Sequence, residues 1–146
     1  MRLTLHTDYA LRLLMMLAAR PGARVTVPDM AERNRISRNH LMKVAQALVK
    51  AGYVRSIRGK GGGLELAREP SEISLGEVVR EIEPDFSFAE CHPPRTSNCC
   101  LLPVCGLNGI LSEAGRAFQA VLDQYTLVDL LLDPARARDI IALPAE

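Results

Sequence analysis

Tryptophan is absent from this chain, and three tyrosines and three phenylalanines are its only aromatics, so aliphatic side chains must build the interior. Apolar residues still make up 48% of the 146 positions, enough for one domain or a small domain with an appended helix. Long hydrophobic runs are missing too. The strongest, Leu13 to Ala19, falls far short of the ~20 residues a helix needs to span a bilayer, so no membrane is expected among the partners. The opening MRLTLHTDYALR lacks a signal-peptide layout, because helix-forming sequence with Arg12 inside it stands where an apolar core would be. A soluble, cytoplasmic protein is the expectation. Catalytic constellations are lacking as well: His6, His40 and His92 lie in different segments, none beside a plausible nucleophile, and no strand-to-helix Gly-Lys-Ser/Thr phosphate loop occurs. The chain is not expected to be an enzyme.

Charge is plentiful but segregated. The formal net charge is only +1, yet residues 1–68 carry 13 Lys/Arg against 4 Asp/Glu, and residues 69–146 carry 5 against 13. The basic half is the candidate for meeting a polyanion.

Helix signals dominate that half. Thr7 is placed to cap a first helix, with Asp8 in its first turn, running to about Arg20 before Pro21-Gly22. Pro28 suits a first helical position, and Asp29 to Asn34 continues as a short helix. Ser37 caps a longer helix through Ala51, which Gly52 closes in the left-handed conformation. Within it Leu41, Val44, Ala45, Leu48 and Val49 recur on one face, and Asn39, Lys43, Gln46 and Lys50 on the other. A short helix, a tight turn and a second helix with this split predict a helix-turn-helix over about 28–51. Alternation from Tyr53 to Ile57, a turn over Arg58-Gly59-Lys60-Gly61-Gly62-Gly63 and a return from Leu64 to Ala67 predict a β-hairpin, a wing over 54–67.

Ser74-Leu75-Gly76-Glu77 reads as a capping box opening a helix to about Glu83, where Pro84 stops it. Residues 84–105 lack periodicity and read as loop. From Gly106 to Tyr125, Leu107, Ile110, Leu111, Ala114, Phe118, Val121 and Leu122 return at helical spacing, a candidate dimerisation helix. Thr126 to Leu132 reads as one more short helix, and the tail as loosely structured. The fold expected is mainly α with a small β-hairpin: a winged helix-turn-helix domain over 1–83, a cysteine loop over 84–105, and a long dimerisation helix with tail over 106–146.

A helix-turn-helix places the N-terminal part of its second helix in the major groove, and here that part is Ser37-Arg38-Asn39-His40. Arginine can grip guanine O6/N7 in bidentate fashion, and asparagine adenine N6/N7, so Arg38 and Asn39 are the base-reading candidates. Ser37, Lys43 and Gln46 suit phosphate contacts or support. Arg58 and Lys60 on the wing tip can reach the backbone or minor groove. An ordinary flexible turn is the alternative for residues 59–63, but their place after the helix pair, flanked by two cations, favours a wing. Double-stranded DNA is the expected partner.

The cysteines carry the second theme. Their spacing is Cys91-x7-Cys99-x5-Cys105 with Cys100 adjacent to Cys99, which is not the paired CxxC of a zinc ribbon. Soft thiolates select iron–sulfur clusters, zinc or copper(I), and in a reducing compartment metal ligation or redox sensing outweighs disulfides. Cys105, at a helix start, could instead be a small buried hydrophobe. Three thiolates leave one position to be filled, for which Cys100, His92, Glu90 and Asp8 are candidates. Asp8 could equally serve the helix dipole, and His92 could be a solvated loop histidine.

Over nearly its full length the chain resembles the winged-helix iron–sulfur transcriptional repressor family, the NsrR/IscR/RirA group. The resemblance is carried by MRLTLHTDYALRLLMMLA, ISRNHLMKVAQALVKAGYV, RGKGGGLELA and ISLGEVVREIEP followed by three cysteines. Ser37-Arg38-Asn39-His40 and Asp8 resemble the nitric-oxide-sensing branch. The x7 gap, Phe86 to Cys91, and Cys105-Gly106-Leu107-Asn108 look more like the iron-responsive branch. The resemblance implies a homodimeric repressor on a palindromic operator. Its iron–sulfur cluster, [4Fe-4S] favoured over [2Fe-2S], would be held by Cys91, Cys99, Cys105 and Asp8 of the other subunit, with nitric oxide as the signal that relieves repression of nitric oxide detoxification genes. An iron-responsive repressor is the alternative, and a zinc-stabilised winged-helix module without redox sensing is a third reading.

Overall fold

The computed structural model describes residues 3–91 and 97–142. The first helix, α1 (Leu5–Ala18), begins two residues ahead of the sequence expectation because Thr4, not Thr7, caps it. The Thr4 hydroxyl accepts the Thr7 N–H at 3.3 Å, and Thr7 itself is buried. Thr4 also donates through its N–H (2.9 Å) and hydroxyl (3.1 Å) to the Glu83 carboxylate, tying the helix start to a distant part of the chain.

The helix-turn-helix consists of α2 (Val27–Asn34), capped by Thr26, and α3 (Arg38–Lys50), capped by Ser37. Between them Arg35 takes a left-handed φ of 53°, the one position among the described residues where a side chain bears that strain. Leu41, Val44, Ala45 and Leu48 are buried, and α3 packs on α1 and α2. Val49, expected on the same face, is 39% exposed. It stands roughly 80° round the helix from Leu41, past the edge of the apolar stripe. Gly52 takes the expected left-handed φ of 78°.

The wing is an antiparallel pair, β1 (Val54–Ile57) and β2 (Gly63–Leu66), in the register Val54↔Leu66 to Ile57↔Gly63. Val25 adds a backbone pairing beside β2, exchanging hydrogen bonds with Leu64 at 3.1 and 2.8 Å. Next comes α4 (Leu75–Ile82), where the Ser74 hydroxyl accepts the Glu77 N–H. The long helix α5 (Leu107–Leu122) follows, with no buried residue along it. The segment expected as a short helix over 126–132 is a 3₁₀ turn, Leu127–Leu130, with Leu127 fully buried.

The tail corrects the sequence reading. It forms a further helix, α6 (Pro134–Ala142), whose first turn is closed by the Asp133 carboxylate accepting the Arg136 N–H at 2.9 Å. Ile141 packs back on the core built from Leu13, Leu14, Met30, Leu41, Val44, Leu48, Ile73, Val78 and Leu127. Burying each such leucine contributes about 1.5–3 kcal/mol, so this aliphatic core holds the fold without tryptophan.

Candidate nucleic-acid interface and cysteine segment

The first turn of α3 presents Ser37, Arg38 and Asn39 to solvent, with Lys43 and Gln46 exposed further along. The Ser37 hydroxyl is engaged in capping, accepting the His40 N–H at 3.2 Å. His40 is half buried. Its ring meets the Tyr9 ring of α1 edge-on at 5.0 Å and lies 6.3 Å from the His6 ring. Burial, and then repulsion from His40, hold the His6 pKa below the ordinary imidazole value, with Glu83 pulling the other way. Sequence reasoning missed Tyr9 as the side chain that steadies the recognition helix. Its only signal was an aromatic in the first helix of a chain with few aromatics.

At the wing tip Arg58 and Lys60 are exposed, and Gly59 and Gly61 take φ of 95° and 75°. A side chain at Gly62 would overlap the Ile57 carbonyl and stand 2.9 Å from that of Gly59, so the turn closes only on glycine. Arg24, unnoticed in the sequence, donates to the Gly61 carbonyl at 3.0 Å and lies 3.9 Å from Glu65. Arg55 pairs with the same Glu65 at 2.6 Å. The tip is thus braced from the loop ahead of α2.

All four cysteines are free: Cys91 and Cys105 are half buried, Cys99 and Cys100 exposed. Beside them the Cys99 N–H donates to the Ser97 hydroxyl at 3.2 Å, and a 3₁₀ turn, Leu102–Val104, precedes Cys105. Glu90 is exposed, and His92 lies outside the described residues. Asp8 is ion-paired with Arg12 at 2.8 Å one turn along α1. Among the described residues no three of the His, Cys, Asp and Glu side chains draw together as a metal site, so the single chain does not assemble Cys91, Cys99, Cys105 and Asp8. The donor chemistry fits an iron–sulfur cluster nonetheless: three thiols outside any disulfide and close together in sequence.

A helix-turn-helix whose second helix exposes a polar face, followed by a glycine-tipped basic hairpin, defines a winged-helix DNA-binding protein. The chain belongs to the Rrf2 family: residues 3–133 match the family model described as an iron-dependent transcriptional regulator. It is 51% identical over 132 residues to the HTH-type transcriptional regulator NsrR of Bacillus subtilis (strain 168), covering 90% of each chain. To the NsrR regulator of Bacillus licheniformis it is 43% identical over 143 residues, covering 97% of this chain and 100% of that one. Among solved structures, T. potens IscR matches with a TM-score of 0.73 at 28% identity, over 94% of this chain and 91% of the other. The chain is therefore a DNA-binding transcriptional repressor of the NsrR type and not an enzyme, as its sequence led one to expect. Among the described residues no helix is long and apolar enough to cross a membrane.

Proposed function

We propose that the chain acts as a homodimeric repressor whose cysteine segment holds an iron–sulfur cluster, [4Fe-4S] rather than [2Fe-2S], and that nitric oxide is its signal. Damage to the cluster then relieves repression of nitric oxide detoxification genes. The observation that carries this reading is the set of free thiols at Cys91, Cys99 and Cys105, placed between the winged helix and the uncovered helix α5. Similarity to NsrR regulators over most of the chain supports it.

Cys91, Cys99 and Cys105 would hold the group, with Asp8 of a second copy in the fourth position. When bound, the group supplies iron sites that react with nitric oxide. Arg12, the partner of Asp8, lies over the Tyr9 ring at 5.9 Å, and that ring meets His40 at the start of α3, so a change of partner at Asp8 would reach α3 through Arg12 and Tyr9. On DNA, Arg38 and Asn39 read base edges, Ser37 and His40 fix the start of α3, and Lys43, Arg58 and Lys60 meet phosphates. Two copies place these helices in successive major grooves of a palindrome, half-sites about one helical turn apart.

The iron-responsive reading is supported by the Phe86 to Cys91 segment and by the iron dependence in the family description. Visible absorption and operator binding of the anaerobically purified protein, titrated separately with a nitric oxide donor and an iron chelator, separate the two. Bleaching and operator release at low nitric oxide stoichiometry are expected. Release by chelator alone would favour iron as the signal. A protein still colourless after iron and sulfide reconstitution would favour the zinc-stabilised module. If the combined Cys91→Ala, Cys99→Ala and Cys105→Ala variant kept nitric-oxide-sensitive operator binding, the cluster reading would fail.

A further inference from the structure

The contacts that join α5 to the winged-helix body gather at its C-terminal half. Past the helix end, the Leu75 N–H donates to the Tyr125 carbonyl at 3.0 Å and the Leu127 N–H to the Ile73 carbonyl at 2.9 Å, pairing Ser74 with Thr126 as an antiparallel bridge. Leu127 then plugs into the core. At the helix end, Arg80 of α4 forms an ion pair with the C-cap residue Asp123 at 2.7 Å and donates to the Gln119 side-chain carbonyl at 3.3 Å, one turn back. Gly76, one turn before Arg80 on the same face of α4, sits under this pair. A Cβ there would overlap the Asp123 carboxylate and stand 3.1 Å from the Asp123 backbone nitrogen.

None of the three is well explained as a stabilising device. An exposed ion pair adds little to stability, and glycine inside a helix weakens it relative to alanine. Their common effect is geometric: Gly76 lets α5 approach α4 closely, and Arg80 grips two successive turns of the chain there. The N-terminal end of α5, beside Cys105, is the end far from this grip. Sixteen residues at 1.5 Å each make a rod of about 24 Å, so a 10° tilt at one end moves the other by about 4 Å.

We propose that Gly76, Arg80 and Asp123 form a pivot that fixes the angle between α5 and the DNA-binding body, and thereby sets the half-site separation a dimer accepts. The three are positioning residues. The proposal rests on the dimeric reading above and adds to it the element that converts the disposition of α5 into operator spacing.

The test uses full-length protein and a series of duplexes. Two half-sites, taken from an operator selected by the wild type, are moved apart or together one base pair at a time, beside a single half-site and a random duplex. Gly76→Ala, Arg80→Ala and Asp123→Asn are compared with wild type, with dimer state followed by sedimentation. The variants are expected to stay dimeric and to bind the single half-site and random DNA as the wild type does. Affinity at the optimal spacing is expected to fall at least tenfold, with neighbouring spacings becoming nearly equivalent. The exchanged pair Arg80→Asp with Asp123→Arg is expected to restore part of the spacing preference. A spacing profile as sharp as wild type in the Asp123→Asn protein, which removes the charge without adding bulk, would overturn the pivot. A wild type with no spacing preference would overturn the dimeric reading along with it.

Discussion

Arg38 and Asn39 stand free on the first turn of α3, whereas their neighbours Ser37 and His40 are already committed, one to the cap and one to Tyr9. That division of labour separates two kinds of substitution. Replacing Arg38 or Asn39 by alanine is expected to cost about 1–3 kcal/mol on the specific operator and to relax base preference, while binding to random DNA changes little. Lys60→Ala, at the exposed wing tip, is expected to weaken binding on every sequence alike and to lower the salt slope by about one. Competition binding on operator and random duplexes over a range of salt separates these outcomes. An equal loss on both duplexes for Asn39→Ala would remove it from the base readers. The polar face of α3 was legible from spacing alone. The role of the Tyr9 ring was not, because nothing in its local sequence says which distant side chain it will meet.

At the scale of elements, caps decided where the sequence reading held and where it slipped. Ser37 and Ser74 cap as expected, each immediately ahead of a clear apolar stripe. Thr7 did not, because Thr4 offered the same hydroxyl three residues earlier and was fixed there by Glu83, a partner 79 residues away. In the tail, Asp133-Pro134 was a usable start signal for α6. The helix is held, however, by Ile141 returning to the core, a contact without local trace. The turn at Leu127–Leu130 yields a pH prediction. Asp129 accepts hydrogen bonds from the Thr126 N–H at 2.7 Å and hydroxyl at 3.0 Å, the N–H foremost, and these hold its carboxyl below the ordinary 3.8. A depressed carboxyl pKa stabilises the folded chain above the unfolded value, and that stabilisation is lost as pH falls through the folded one. The wild type is therefore expected to outlast Asp129→Asn in urea at neutral pH, with the gap closing below 3.8. A gap that stays constant on acidification would show that the charge of Asp129 contributes nothing.

For the molecule as a whole, the part of the site least legible from one chain is the part that one chain does not assemble. Cys91, Cys99, Cys105 and Asp8 are the ligands the resemblance implies, yet among the described residues Asp8 pairs with Arg12 and no three metal-binding side chains draw together. The proposed second copy would supply what is missing, and the long helix offers it a face. Leu107, Ile110, Ala114, Ala117 and Val121 recur at the alternating three- and four-residue spacing of a coiled-coil seam, and all five are exposed. On another side of the helix Phe118 and Gly115 meet Phe86 and Phe88 and are half covered. One stripe is thus used inside the chain and the other is uncovered; on the dimeric reading proposed above it would meet a partner helix, with the two alanines permitting close approach. Ile110 is 66% exposed, and Val104 in the preceding turn 83%. A stable dimer buries about 800 Å² per partner, and at about 25 cal/mol per Å² of apolar surface a charge placed in the seam should be decisive. Ile110→Glu is expected to convert the protein from dimer to monomer in sedimentation. It should abolish the advantage of a palindromic operator over a single half-site while leaving half-site affinity intact, because Ile110 lies on the opposite side of the cysteine segment from α3 in the chain and makes no contribution to its first turn. A variant that still sediments as a dimer would place the interface elsewhere and would leave the exposed seam of α5 without a role.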